Sequence, residues 1–134
     1  MNIVGLVPLL NVEDVGASVY FYKDALGFHL EESYEQDGAT VWACLRFQDV
    51  RVMLHQPPWA ESDARRGARS YADTVLYFWV ADARELHADL ARRGYPVGPM
   101  QGGDGSMEEF YLRDPDGYEL GFGTVDVAQS AVEA

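Results

Sequence analysis

The sequence predicts an α+β fold made of two similar modules, each with a strand, a helix and three further strands. The main observation is an internal repeat between residues 7–28, VPLLNVEDVGASVYFYKDALGF, and residues 75–95, VLYFWVADARELHADLARRGY. Both segments run from an apolar strand through an aspartate to a helix that a glycine ends. Strand-like runs separated by turn residues then follow each helix. Because a repeat fixes the architecture, we expect the two halves to fold alike.

The ends of the two predicted helices are marked by capping residues. Asp14 and Asp82 are placed to accept from free backbone N–H groups of the first turn, and Glu85 completes a capping box with Asp82. Gly27 and Gly94 stand where a left-handed residue ends a helix. The apolar stripes predicted to face the core are Ala17, Tyr20, Phe21 and Ala25 on the first helix, and Ala83, Leu86 and Leu90 on the second.

Three strands are predicted after each helix, with turns between them. In the first module they are residues 28–35, 40–47 and 50–56, and in the second they are residues 95–97, 109–113 and 118–123. The last two flank Asp114-Pro115-Asp116-Gly117, a strong turn sequence. We therefore predict one structural domain in four parts: module 1–56, linker 57–73, module 74–124 and a fraying tail 125–134.

Composition excludes several classes of partner. The formal net charge is −12, so a nucleic-acid-binding face and docking on an anionic membrane are not expected. The single cysteine, Cys44, excludes an internal disulfide and any cysteine-cluster metal site. The first ten residues lack the features of a signal peptide, and no apolar stretch is long enough to span a membrane. We expect a cytoplasmic protein.

The ordered set of these elements resembles the vicinal oxygen chelate superfamily, which includes glyoxalase I, extradiol dioxygenases, fosfomycin-modifying enzymes and bleomycin-resistance proteins. The resemblance covers roughly residues 5–124 and includes the closing run FYLRDPDGYELGFG at residues 110–123. It implies a curled mixed sheet around a cleft, with the helices on the outer face. It also implies a homodimer, since many members dimerise.

The resemblance also implies where a metal would bind. Metal-dependent relatives place ligands at positions that correspond here to Val7, Val75 and Gly121, none of which has a side-chain donor. His55 and Glu119 are the nearest alternative donors, and a site needs three or four. The chain is thus most similar to the metal-free, drug-binding members, and we expect no metal and no cofactor.

Strand alternation assigns side chains to the cleft instead of the helix side. The predicted ligand-binding residues are mainly aromatic or acidic: Trp42, Met53, His55, Tyr77, Trp79, Glu109, Tyr111 and Glu119. Aromatic rings stack on planar ligands and attract cations, and carboxylates in an apolar cleft require a cationic or hydrogen-bonding partner. A structural interpretation stays open for each. The rings could fill a sheet or dimer interface, His55 could be a wall residue, and the carboxylates could pair with Arg113, Arg51 or Arg46.

The leading hypothesis is a metal-free protein that sequesters a planar or cationic antibiotic of the bleomycin type in the clefts of a homodimer, with no catalytic residue. The alternative is a glyoxalase- or dioxygenase-like enzyme, either a lyase or an oxidoreductase. Such an enzyme would use a non-standard metal site with His55 and Glu119, or a metal-free general base at Glu109 or His55. A small-ligand carrier unrelated to resistance is a third interpretation that the sequence does not separate from the first.

Overall fold

The computed structural model describes residues 2–68 and 73–125. The chain divides into two compact units, Met1–Arg69 and Ser70–Ala134, with the division inside the predicted linker. The predicted tail lies outside the described residues beyond Val125. No helix in the described ranges is long and apolar enough to cross a membrane.

Unit 1 is a four-stranded sheet with one long helix. Its elements are β1 (Leu9–Asn11), α1 (Val15–Leu26), β2 (His29–Gln36), β3 (Ala39–Phe47), β4 (Val50–His55) and α2 (Asp63–Ala68). The strand order is β1-β4-β3-β2. β1 runs parallel to β4, whereas the β2–β3 and β3–β4 pairs are antiparallel. The first predicted module is therefore confirmed as βαβββ.

Helix α1 has the predicted ends but buries only two residues of the predicted stripe, Phe21 and Ala25. Asp14 Oδ1 accepts from the Ala17 backbone N–H at 3.2 Å, and Gly27 at φ +79° ends the helix. Tyr20, predicted in the apolar stripe, is 68% exposed, and Ala17 is exposed as well. The buried residues are Val15, Ser18, Phe21, Tyr22 and Ala25. The helix is rotated toward Tyr22 because that ring packs edge-on against both Phe21 and Phe28.

Unit 2 is a three-stranded sheet with one helix. Its elements are β5 (Val75–Val80), α3 (Ala83–Arg92), β6 (Glu109–Arg113) and β7 (Glu119–Thr124), with strand order β5-β7-β6. β5 runs parallel to β7, and β6 runs antiparallel to it. The α+β class is confirmed, with sheets of four and three strands.

The predicted strand at residues 95–97 is wrong, because its backbone groups are used locally. The Tyr95 N–H closes the end of α3 on Leu90 O, the Val97 N–H turns back to Tyr95 O, and Pro96 has no N–H. The chain meets β6 only afterwards, where Gly98 donates to Tyr111 O at 2.8 Å and Gln101 pairs with Glu109. The edge of this sheet is thus an irregular segment and not a fourth strand.

Helix α3 has the predicted N-cap and buries part of the predicted stripe. Asp82 Oδ1 accepts from the Glu85 N–H at 3.1 Å, and Ala83 and Leu90 are buried, whereas Leu86 is half-buried. His87 is half-buried as well. Its Nε2 donates to Gly98 O at 2.8 Å and its ring packs edge-on against Phe110. This contact joins α3 to the irregular segment after it.

Each sheet has a helix side and an opposite side, which we call its open face. In unit 1, α1 packs on β3 and β4; in unit 2, α3 packs on β6 and β7. Alternation assigns to the helix side a set of residues that are buried: Ala43, Leu45, Val52 and Leu54 in unit 1, and Phe110, Leu112, Leu120 and Phe122 in unit 2. Leu76, Phe78 and Val80 of β5, assigned to the same side, are half-buried. Alternation then places the intervening side chains of the same strands on the open face.

The predicted polar linker contains α2 and a buried arginine that the sequence did not reveal. Arg65 is 9% exposed. Its Nη1 donates to Ala60 O at 3.0 Å and its Nη2 to Asn11 O at 2.8 Å. Because both acceptors are backbone carbonyls, no residue pattern announces the contact. Arg65 thereby fastens the turn after β4 to the end of β1.

We predict that Arg65→Ala lowers the free energy of unfolding by about 3 kcal/mol, because two charge-assisted hydrogen bonds are lost and two carbonyls are left without them. Urea denaturation measures the change. Arg92→Ala is the matched control, since Arg92 is an exposed residue of α3 paired with Asp89, and it should leave the transition almost unchanged. Equal effects of the two variants would contradict the anchoring role of Arg65.

Candidate functional site

All eight residues predicted to bind a ligand lie at open-face positions of their sheets. In unit 1 these are Trp42, Met53 and His55, and in unit 2 they are Tyr77, Trp79, Glu109, Tyr111 and Glu119. The register follows because paired residues of neighbouring strands share a face. Their role in binding stays a prediction, but the structure brings five of them together on one small sheet.

The open face of unit 1 is built from two rows of paired residues. One row crosses the four strands as Asn11, His55, Trp42 and Tyr34, and the next as Leu9, Met53, Cys44 and Glu32. His55 Nδ1 lies 3.3 Å from Asn11 Oδ1, so the imidazole is held by a neighbour in its own row. This contact supports a wall role for His55 and leaves its second ring nitrogen available.

A charged cluster lies beside these rows, at a β-bulge of β2. Arg51 donates to both Glu31 carboxylate oxygens, at 2.8 and 3.0 Å, and the Cys44 thiol donates to Glu31 at 3.7 Å. The Arg51 hydrogen bond lowers the pKa of Glu31, whereas burial raises the pKa of the Cys44 thiol. The Arg51 guanidinium is thus paired with a carboxylate of its own sheet.

The open face of unit 2 depends on two glycines of β7. Tyr77 of β5 pairs with Gly121, and Trp79 pairs with Gly123. A Cβ at Gly121 would lie 2.7 Å from Tyr77 Cδ2 and 2.9 Å from Tyr111 Cε1. A Cβ at Gly123 would overlap the Tyr77 hydroxyl. The Tyr77 ring therefore lies across β7 in space that any side chain at these positions would fill.

One carboxylate joins two phenols on this face. Glu109 Oε2 accepts from the Tyr77 hydroxyl in a short hydrogen bond, and Oε1 accepts from the Tyr111 hydroxyl at 3.4 Å. Burial, with the adjacent Glu109 charge, raises the pKa of both phenols. Both hydroxyls therefore stay protonated at neutral pH as donors that orient Glu109. Its partners are phenols rather than the arginines that the sequence suggested.

The remaining residues extend this cluster at its edge. Trp79 is 60% exposed and packs edge-on against Tyr77, with ring centroids 5.4 Å apart; Tyr77 is 37% exposed and packs similarly against Tyr111. Met107 was missed: its sulfur lies 3.6 Å from the Tyr77 hydroxyl. Met107 precedes β6 in a glycine-rich loop, where strand alternation gives no signal.

Glu119 lies two residues from Gly121 on the same face of β7, opposite Arg113 of β6 and Val75 of β5. Within residues 2–68 and 73–125, the Glu119 carboxylate has neither a hydrogen bond nor an ion pair. Its charge contributes to the raised pKa of Tyr111, after burial and the nearer Glu109. Glu119 thus adds negative potential next to the rings.

These side chains do not fit the metal centre that the resemblance implies for some members. Val75 and Gly121 offer no donor, and a ligating side chain at position 121 would begin inside the Tyr77 and Tyr111 rings. Among the described residues, no group of three or more His, Cys, Asp or Glu could hold an ion.

A family model described as Glyoxalase/Bleomycin resistance protein/Dioxygenase superfamily matches residues 4–122. No curated protein sequence matches the chain. The bleomycin-binding protein from bleomycin-producing Streptomyces verticillus, solved with copper(II)-bleomycin, is 27% identical. That match covers 94% of this chain and 99% of the other, with a TM-score of 0.65.

Two further solved structures show the fold. TnmS3, an antibiotic binding protein from Streptomyces sp. CB03234, is 19% identical, and the match covers 92% of this chain and 98% of TnmS3, with a TM-score of 0.69. Lactoylglutathione lyase from Agrobacterium tumefaciens is 18% identical, and the match covers 92% of this chain and 95% of the lyase, with a TM-score of 0.68. The same fold therefore occurs in an enzyme and in binding proteins.

We predict that Gly121→Ala displaces the Tyr77 ring, because the new methyl group would overlap two aromatic rings. The expected destabilisation is about 1–3 kcal/mol, as for overpacking elsewhere. Near-ultraviolet circular dichroism, which reports the packing of tyrosine and tryptophan rings, should change with it. Gly5→Ala is the control, since nothing lies within 4 Å of a Cβ there. An unchanged spectrum in Gly121→Ala would show that the ring does not occupy this space.

We also predict that the Tyr77 phenol ionises at a higher pH than an ordinary tyrosine, because its pKa is raised by burial and by Glu109. The raised pKa of Tyr77 means that the folded state keeps its phenolic proton above pH 10, where the unfolded chain releases it. The stability that this hydrogen bond contributes is thus present below pH 10 and falls as the pH rises further. In an alkaline absorbance titration, Tyr77→Phe should remove one late-ionising group. Loss of an ordinary tyrosine amplitude instead, with the late-ionising group retained, would contradict the Tyr77–Glu109 contact.

Proposed function

Because the chain belongs to the Glyoxalase/Bleomycin resistance protein/Dioxygenase superfamily, we propose that it binds a planar, cationic small molecule, an antibiotic of the bleomycin type, without a metal cofactor and without changing it chemically. Protection by sequestration requires no reaction. It requires enough protein, with a dissociation constant below the toxic free concentration. The partner is thus a small molecule, and the proposed place of action is the cytoplasm.

One observation carries this proposal: three aromatic rings and a held carboxylate share the open face of unit 2. The faces of Tyr77 and Trp79 offer apolar, electron-rich surface to a flat or positively charged group. Glu109 uses one lone pair on each oxygen for a phenol, so further acceptor sites stay free for a ligand cation. A carboxylate held this way loses little conformational entropy when it binds.

The comparisons support the same class of ligand. The bleomycin-binding relative is the more similar in sequence of the two antibiotic-binding structures, and both match nearly the whole chain. The lyase shares the fold, but this chain lacks donors at the positions where metal-dependent members place them. The donor set therefore favours binding over metal-assisted catalysis.

The open face of unit 1 contributes the remaining predicted contacts. Trp42 and Met53 provide a ring and a polarizable thioether, and His55 provides a hydrogen-bonding group fixed by Asn11. We propose that these residues also contact ligand and that the protein acts as a homodimer. The family resemblance supports the dimer, and sedimentation velocity would test it.

We predict that bleomycin, metal-free and copper-loaded, quenches tryptophan fluorescence saturably at about one ligand per chain, with a sub-micromolar constant. Trp79→Ala should weaken binding at least tenfold, because an exposed ring of the cluster is removed. Trp59→Ala is the matched control, since that exposed tryptophan lies in the turn after β4 and on no strand of either sheet.

Two outcomes would overturn the proposal. The first is no quenching at high micromolar bleomycin, together with no binding in a screen of other planar cations. The second is turnover of a carbon acid that Glu109→Gln abolishes, which would establish the enzyme that uses Glu109 as a general base. Stoichiometric bound metal with lyase or dioxygenase activity would likewise replace sequestration by metal chemistry.

A further inference from the structure

A concave site lies wholly within unit 1 and includes no residue of the aromatic cluster of unit 2. It is a pocket of about 390 Å³ between the β2–β3 turn and the turn that follows β4. Its polar lining consists of Gln36, Asp37, His55, Gln56 and Glu61, and its apolar wall includes Pro57 and Ala60. This volume lies in the range of small-molecule sites. Of the eight residues proposed above to contact a ligand, only His55 lines this pocket.

The walls of the pocket are fixed by backbone contacts. The Gln56 N–H donates to Val41 O at 2.8 Å, which ties the end of β4 to β3. The Ala60 N–H donates to Pro57 O at 3.0 Å and closes the turn. Buried Arg65 then binds Ala60 O and Asn11 O, so the turn cannot move away from β1 without breaking charge-assisted bonds. The pocket is therefore formed before a ligand arrives.

His55 is oriented within this lining. An amide oxygen can only accept, so the contact with Asn11 Oδ1 places the imidazole proton on Nδ1. Nε2 is then the acceptor of the neutral ring. A ligand that approaches His55 is accordingly best matched by an N–H or O–H donor.

The charge of the lining selects among such donors. Asp37 and Glu61 are carboxylates, and the residues that line the pocket include no Lys or Arg. The two glutamines add amide oxygens as acceptors. The pocket therefore presents negative charge and hydrogen-bond acceptors to a cation that carries several N–H donors, and part of its wall is apolar. The same carboxylates would repel an anion.

We propose that this pocket binds the charged end of an organic cation, an ammonium or a guanidinium group, on a short aliphatic arm. The charged end lies among the Asp37 and Glu61 carboxylates and the His55 acceptor. The arm packs against the proline and alanine wall. A guanidinium has five donors for these acceptors, whereas a neutral isostere of the same shape has no charge for the carboxylates.

The test compares butylguanidinium with its neutral isostere butylurea, by NMR of the His55 ring and the Gln56 amide. We expect saturable shifts at these two residues with butylguanidinium at a few millimolar, as suits a ligand of about eight non-hydrogen atoms. Butylurea should bind at least fivefold more weakly. The variant with Asp37→Asn and Glu61→Gln should weaken butylguanidinium binding by about five- to tenfold.

The control variant carries Asp49→Asn and Glu85→Gln, which remove the same charge from exposed positions outside the pocket. It should bind butylguanidinium as the unaltered chain does. Equal binding of the two probes, or equal weakening by both double variants, would overturn the proposal and show general attraction to an acidic protein. Shifts confined to other residues would also overturn it. These results are independent of the Trp79 readout, so either proposal can fail without the other.

Discussion

The open face of unit 2 depends on one packing constraint: the Tyr77 ring lies where β7 has no side chains. Because Gly121 and Gly123 have no side chains, the space above them is open, and the Tyr77 ring and hydroxyl occupy it. The hydroxyl then donates to Glu109 on β6. The Glu109 carboxylate also accepts from the Tyr111 hydroxyl, and the Tyr111 ring packs edge-on against the Tyr77 ring. A side chain on either glycine would displace the ring and release the carboxylate, so the arrangement exists only as a unit.

Much of the fold is encoded locally, and for this reason the sequence predicts it. Asp14 and Asp82 cap their helices by accepting from the backbone N–H three residues later in the chain. The alternation of apolar residues predicts correctly which faces of β3, β4, β6 and β7 are buried in the core. The failures are of another kind. The rotation of α1 toward Tyr22 and the insertion of Arg65 depend on partners distant in sequence. The predicted strand at 95–97 does not form, because the Tyr95 N–H bonds to the end of α3, the Val97 N–H bonds to Tyr95 O and Pro96 has no N–H.

The candidate site shows the same division. Period-two alternation is enough to place all eight predicted residues on the open faces, because side-chain direction is a property of the strand alone. The hydrogen-bonding partner of each residue, by contrast, also depends on the neighbouring strands. Charge complementarity suggested arginines for Glu109, yet its partners are two phenols, which the register brings within reach from β5 and from its own strand. Met107 lies in a loop closed by the Gln101–Glu109 pair, so no periodicity announces it.

Gly121 determines both whether the aromatic rings fit on this sheet and whether a metal ligand could stand at this position. The space that a ligating side chain at position 121 would need is the space that the Tyr77 and Tyr111 rings occupy. A metal ligand and this ring cluster therefore exclude each other on one sheet. Glu119 does not resolve the conflict, because it lies in the next row, opposite Val75 and Arg113, where the neighbouring positions supply no second donor atom for a cation. At position 121 glycine supplies no donor atom, and the absence of a side chain leaves room for the Tyr77 and Tyr111 rings.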